Sequence, residues 1–162
     1  MKRRFILFGA TGSIGDSTLD ILRQHPDDFE LVGFTWHSNE EKARRIQSEF
    51  GVKHAWSTAA ADAAQNVLHL LDQPHDFILQ AIVGAAGVFT TLAAAERGET
   101  ILLANKESLV IAGDIVMRMA RDKGATMLPV DSEHSSLFRL LDSHSPRANP
   151  TTVYSPRAAG RC

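Results

Sequence analysis

Cysteine is all but missing from this sequence. Its single copy, Cys162, is the final residue, which excludes a disulfide framework and a cysteine-built zinc site. Long apolar runs are missing too: no stretch approaches the roughly 20 apolar residues of a membrane-spanning helix. Met1-Lys2-Arg3-Arg4 followed by Phe5-Ile6-Leu7-Phe8 imitates the opening of an export signal. Gly9 ends that apolar run well short of the roughly seven to fifteen residues such a signal needs. A cytoplasmic protein with no membrane partner is therefore expected. Neither sign of charge is in excess, since 17 Lys+Arg stand against 19 Asp+Glu for a net charge of −2, and no nucleic-acid partner is expected on that balance. There is no internal repeat.

What is present is 162 residues, 44% hydrophobic and 22% charged, enough for one domain with a full core. Residues 143–162 stand apart, with three of the six prolines, three arginines and no acid. Their apolar content is too small to repay ordering, and a disordered tail is expected there.

Ahead of that tail, apolar runs bounded by glycine alternate with segments of helical period. Strands are predicted at 5–8, 31–35, 52–56, 77–83, 100–104 and 126–130. Helices are predicted from Ser13 to His25, at 39–50 and 59–71, from the 84–87 turn to Arg97, and at 108–121 and 134–141. Strict alternation of six strands with six helices predicts an α/β fold, a Rossmann-like doubly wound parallel sheet with helices on both faces. Ligands in such sheets bind beyond the carboxyl ends of the strands, so the residues that follow each strand are the candidates for function.

After the first strand comes Gly9-Ala10-Thr11-Gly12-Ser13-Ile14-Gly15, three glycines at spacing three and three, opening a helix. Glycine lets backbone approach a pyrophosphate, and the free N–H groups of a helix start favour negative charge. Strand, turn and helix in that order point to dinucleotide binding rather than to a merely structural turn, although the spacing is not G-x-G-x-x-G. At the end of the second strand an NAD site usually carries an acid; here stand His37-Ser38-Asn39. Without a carboxylate to repel it, the 2′-phosphate of NADPH can be accepted, with Lys42, Arg44 and Arg45 nearby. The same charges also read as a solvated helix face.

Asn105-Lys106-Glu107-Ser108 follows the apolar strand Ile101–Ala104. It reads either as a cap for the next helix, with Asn105 or Ser108 as N-cap, or as a segment facing the crevice, where a lysine could hold a phosphate or polarise a carbonyl. After Val130 comes Asp131-Ser132-Glu133-His134. Two acids at i and i+2 in extended backbone point the same way and suit Mg²⁺ or Mn²⁺. Spacing alone favours Asp131 as an N-cap with Glu133 in a first helical turn.

Four blocks taken together resemble the 1-deoxy-D-xylulose 5-phosphate reductoisomerase family: 9–15 (GATGSIG), 81–87 (AIVGAAG), 102–110 (LLANKESLV) and 129–134 (PVDSEH). The resemblance covers residues 1 to about 141 of a family whose chains are more than twice this length. It implies an NADPH-binding domain at 1–130, the start of a catalytic domain at 131–142, and a tail outside the family at 143–162. The activity it implies is rearrangement of a phosphorylated ketose followed by hydride transfer from NADPH, in isoprenoid precursor synthesis, by an enzyme that is a homodimer in the family.

The resemblance also implies roles, residue by residue. Gly9, Thr11, Gly12, Ser13 and Ile14 would contact NADPH, with His37, Ser38 and Asn39 at the second strand end and Asn105 and Glu107 as further cofactor contacts. Lys106, Ser132 and Glu133 would contact substrate, Lys106 and Glu133 as catalytic residues. Asp131 and Glu133 would be metal carboxylates, against the N-cap reading that spacing favours. Family members often carry a basic residue where His37-Ser38 stands. Beyond Leu141 the resemblance ends, without a loop over the site or a third metal carboxylate, so an inactive fragment is the expectation for this chain alone. Two other readings stay open: a non-catalytic NADPH-binding module, and a different NAD(P)-dependent reductase of the same sheet type.

Overall fold

A computed structural model describes residues 1–104 and 106–130, which belong to one compact unit. In chain order its elements are β1 (Arg3–Phe8), α1 (Ser13–Gln24), β2 (Phe29–Trp36), α2 (Glu40–Phe50), β3 (His54–Ser57) and α3 (Ala63–Leu71). They continue with β4 (Phe77–Gln80), a single 3-10 turn (Gly84–Ala86), α4 (Gly87–Glu96), β5 (Thr100–Leu103), α5 (Lys106–Lys123) and β6 (Thr126–Pro129). All six strands form one parallel sheet in the order β3-β2-β1-β4-β5-β6. The expected Rossmann-like architecture is the observed one.

The sheet is organised around β1. It pairs with β2 on one side and β4 on the other, and Ile6, Leu7 and Phe8 are wholly buried, as an apolar strand covered on both faces must be. One layer of core joins Ile6, Phe8, Ile78, Ile101 and Leu103 to Val67, Leu70 and Leu71 of α3 and Ala93, Ala94 and Ala95 of α4. Near the amino-terminal ends of the strands, Phe5 stacks on Phe77 at 5.2 Å and Phe29 meets both rings edge-on. This bulk closes the end of the sheet away from the expected ligands.

The chain steps outward from β1 to β2 and β3, then crosses back through α3 to β4. Strand order therefore reverses between β1 and β4, and the crevice at their carboxyl ends is where such sheets take ligands.

The helices begin and end for local reasons. In α1, Gly15, Thr18, Leu19 and Leu22 bury one face. In α2, the Asn39 side chain accepts the Lys42 N–H at 3.0 Å, Ala43 and Ile46 face inward, and left-handed Gly51 stops the helix.

β1 and β2 begin two residues earlier than the periodic reading, and β3 two later; three further departures have a visible cause. The third helix begins at Ala63 rather than 59, because the Ser57 Oγ takes the Ala59 N–H at 3.1 Å and the Ser57 carbonyl takes that of Ala60. Such local bonds compete with helix. The fourth strand ends at Gln80 rather than 83: Ala81 N–H makes the last bond to β1, at Phe8 O, where the neighbouring chain turns away at Gly9. The helix expected at 108–121 runs from Lys106 to Lys123 and breaks at Ala112 (φ −133°, ψ 21°), beside Gly113, the residue type weakest in helix after proline. The helix expected at 134–141, and the divisions at 131–142 and 143–162, lie outside the described residues.

Candidate functional site

The turn after β1 assigns each glycine a different task. Gly9 has φ +88°, and a Cβ there would sit 2.8 Å from the Ala81 carbonyl group of the β4 exit, so both conformation and space require glycine. A Cβ on Gly15 would lie 2.3 Å from Ala10 O; α1 rests that closely on the turn. Gly12 differs from both. Its absent Cβ would meet nothing nearer than Gly9 O at 3.6 Å, so the space before it is open. Turn, open approach and close helix packing are the three uses of glycine in a dinucleotide-binding fingerprint, here met at a spacing of three and three.

Gly12 is the N-cap of α1 and has no side chain to cap it. The first N–H groups of a helix lack partners within it, and those of Ser13, Ile14 and Gly15 therefore start α1 as donors behind the positive end of its dipole. Thr11, Gly12 and Ile14 are half-buried and Ser13 is exposed. The turn is pinned from the side by Thr35, a buried residue of β2. Its carbonyl accepts from Gly9 N–H at 3.2 Å and Ala10 N–H at 2.9 Å, and its Oγ1 also accepts from Gly9 N–H at 3.2 Å.

The end of β2 separates the bases that sequence places together. Arg44 pairs with Glu40 at 2.7 Å and Arg45 with Glu41, both on the exposed outer face of α2. For these two the solvated-face reading holds. Lys42 turns the other way: its ammonium donates to Thr11 O at 3.0 Å and to Asp16 at 2.7 Å. His37, Ser38 and Asn39 are exposed. The His37 ring lies 3.2 Å from Thr58 Oγ1, and Ser38 O accepts the Glu40 N–H. Asn39 is occupied as the α2 cap, so its backbone role is plain and its side-chain carbonyl is partly spent on it.

Behind the turn, α1 and α2 are clamped together. Arg23 of α1 holds Glu49 of α2 through Nε at 2.5 Å and a second guanidinium nitrogen at 2.8 Å, and also holds Asp20. The Glu49 carboxyl is thereby lowered below its usual range and the guanidinium of Arg23 is raised, each first by this hydrogen bonding.

The other side of the crevice is built from buried side chains. Gln80, the last residue of β4, is fully buried. Its amide nitrogen donates to Gly87 O at 2.9 Å, to Thr90 Oγ1 and to Thr91 Oγ1 at 3.1 Å, and its amide oxygen accepts the Ile82 N–H at 3.2 Å. Thr91 Oγ1 in turn donates to Ser108 Oγ at 3.3 Å, inside α5. Ser108 is fully buried in the helix, which corrects its reading as an N-cap: the helix has already begun two residues earlier. Lys106 opens α5 and Glu107 lies half-buried in its first turn. Asn105 and the side chain of Lys106 lie outside the described residues, as do Asp131, Ser132 and Glu133. Among the described residues no group of three or more His, Cys, Asp or Glu could hold a metal ion, and no helix is long and apolar enough to cross a membrane.

Sequence reasoning missed Thr35 and Gln80 as site-building residues and grouped Lys42 with two arginines that do not share its place. A signal for Gln80 was present: one amide at the end of the apolar run 77–80 (FILQ), with Thr90-Thr91 ten residues on. Nothing local distinguished Thr35.

The family model described as 1-deoxy-D-xylulose 5-phosphate reductoisomerase matches residues 5–74 and 57–113. The 1-deoxy-D-xylulose 5-phosphate reductoisomerase of Paraburkholderia phytofirmans is 44% identical over 161 residues, covering 87% of this chain and 40% of its own. The solved structure of the Zymomonas mobilis 1-deoxy-D-xylulose 5-phosphate reductoisomerase in complex with NADPH superposes with a TM-score of 0.75 at 33% identity, over 86% of this chain and 41% of that one. A DOX-P reductoisomerase in complex with NADPH, fosmidomycin and magnesium gives 0.74 at 39% identity, over 85% and 38%. The chain spans about 40% of the length of the curated relatives it matches. With the family model spanning most of its length, the chain belongs to the 1-deoxy-D-xylulose 5-phosphate reductoisomerase family.

Proposed function

We propose that these residues are the NADPH-binding part of an enzyme that converts 1-deoxy-D-xylulose 5-phosphate to 2-C-methyl-D-erythritol 4-phosphate. The observation that carries this reading is the division of labour among Gly9, Gly12 and Gly15, which leaves open space and unpaired N–H groups where a pyrophosphate would lie. When bound, NADPH supplies a hydride and Mg²⁺ or Mn²⁺ polarises the substrate oxygens. In this reading the N–H groups of the α1 start hold the pyrophosphate, and the segment from His37 to Asn39, without a carboxylate, accepts the 2′-phosphate. Asn105 and Glu107 add cofactor contacts. Lys106 and Ser132 bind the phosphorylated ketose with Glu133, Lys106 and Glu133 as catalytic residues, and Asp131 with Glu133 holds the cation. Residues 1–130 form the cofactor domain and 131–142 begin the catalytic one, with 143–162 outside the family pattern. A cytoplasmic homodimer without nucleic-acid partner completes the reading.

Titration of the 162-residue chain with NADPH, followed by quenching of Trp36 at the end of β2, tests it. Saturable quenching, tighter for NADPH than for NADH, is the expected result. No binding of either dinucleotide by the folded chain would overturn the reading.

A further inference from the structure

We infer that Lys42 is a positioning residue for the cofactor pyrophosphate, bracing the glycine turn from α2 and cancelling the charge of Asp16 beside it. The inference rests on the NADPH reading above and concerns a residue that neither the glycine motif nor the strand-end segment includes. Lys42 is fixed at its base, because its own N–H is held by the Asn39 cap. From there the stem crosses to α1, where the ammonium meets Thr11 O at 3.0 Å and Asp16 at 2.7 Å. Its side chain is 30% exposed, whereas those of Arg44 and Arg45 are each 76% exposed and paired along their own helix. Among these three bases, Lys42 alone reaches the turn.

Two consequences follow for an anion arriving at the turn. Asp16 is the fourth residue of α1, and its N–H makes the first bond within the helix, to Gly12 O. A carboxylate there suits the helix dipole but repels a pyrophosphate drawn to the same dipole. Lys42 converts it to a neutral pair. The bond to Thr11 O also draws that carbonyl toward α2, so that an oxygen within the turn is committed to a donor instead of being left free near the phosphates. Both effects act on the pyrophosphate, which NADPH and NADH share, and not on the 2′-phosphate, which distinguishes them.

The test is equilibrium binding of NADPH and of NADH to the wild type, Lys42→Met, Asp16→Asn and the double variant, with thermal unfolding of each. Lys42→Met should weaken both dinucleotides by the same factor, roughly tenfold, the scale of a lost charge-assisted hydrogen bond. Asp16→Asn in that background should recover most of the loss, because it removes the charge that Lys42 no longer balances; a residue with a merely structural role would show no such rescue. A selective loss of NADPH would make Lys42 a 2′-phosphate ligand and overturn the inference. So would unchanged affinity, or a fall in thermal midpoint that accounts for the lost binding without rescue by Asp16→Asn. A wild type that binds neither dinucleotide overturns the functional reading itself, and the inference with it.

Discussion

On one side of β1 the crevice is framed by main chain, and on the other by buried side chains. In the β1–α1–β2 half, Gly15 lies so close to Gly9 and Ala10 that no methyl group fits between them, and Thr35 O holds the N–H groups of Gly9 and Ala10. In the β4–α4–β5 half, Ala81 packs on Gly9, but the turn that follows is open, since a Cβ on Gly84 would meet nothing within 4 Å. Its strand end is held by the amide of Gln80 and the hydroxyls of Thr90, Thr91 and Ser108. The difference teaches where tolerance lies. Backbone-on-backbone packing admits one residue type, whereas a side-chain network can be redrawn with other side chains of similar shape.

The sharpest break in that comparison is within the first half. Gly12→Asp should abolish dinucleotide binding, a loss of roughly a hundredfold or more from a charge and a side chain set where the phosphates approach. It should leave the urea midpoint nearly unmoved, because that side chain enters open space. Gly15→Ala should do the reverse, lowering stability by about 3 kcal/mol as its methyl meets Ala10 O. If both variants lost stability equally, the separate roles of the two glycines would be wrong.

On the other side, Gln80→Ala should cost about 2 kcal/mol in urea unfolding, from the cavity and from the hydrogen bonds that its amide makes. NADPH affinity at the glycine turn should be unchanged. An equal effect on affinity would show that the halves are one unit and not two.

Thr35→Val asks how much of the turn's support is side chain. The Gly9 N–H keeps the Thr35 carbonyl and loses only Oγ1, so a loss of about 1 kcal/mol is expected, measured by thermal unfolding. A loss as large as that of Gln80→Ala would mean that the first half also depends on a side chain.

The smallest effect concerns Arg23–Glu49, the clamp between α1 and α2. The Glu49 carboxyl is lowered in the fold. Its contribution is therefore present above the unfolded value and is lost as pH falls through the lower, folded one. Both side chains are more than 40% exposed, so the contribution is about 0.5 kcal/mol or less. Comparing urea midpoints of Glu49→Gln and the wild type should show a gap at neutral pH that closes in acid. A gap that widens in acid would give the pair the wrong sign.

Much of this fold is legible in the sequence because its signals are local. A run such as 5–8 (FILF) next to a glycine turn, or Asn39 and Gly51 at the two ends of a helical period, depends on neighbours a few residues away. The glycine turn was legible for the same reason. The boundaries explained above do not share one cause. The β4 end was decided by where β1 stops, whereas the start of α3 and the break in α5 have local causes, the bonds of Ser57 and the glycine beside Ala112, that an apolar period does not register.

The sequence by itself determined the alternation of strands and helices and the glycine turn, through the spacing of residue types, and pointed to the family through the resemblance of four motif blocks. Tertiary structure alone decided which charges reach the glycine turn. Lys42, Arg44 and Arg45 occupy nearly adjacent positions, yet successive helix residues point about 100° apart. One reaches Asp16 and Thr11, while the others face solvent and their own acids. It also decided that Thr35 and Gln80 support the crevice, because their partners lie 26 and 7 to 11 residues away and meet them only when β2 and α4 pack beside β1 and β4.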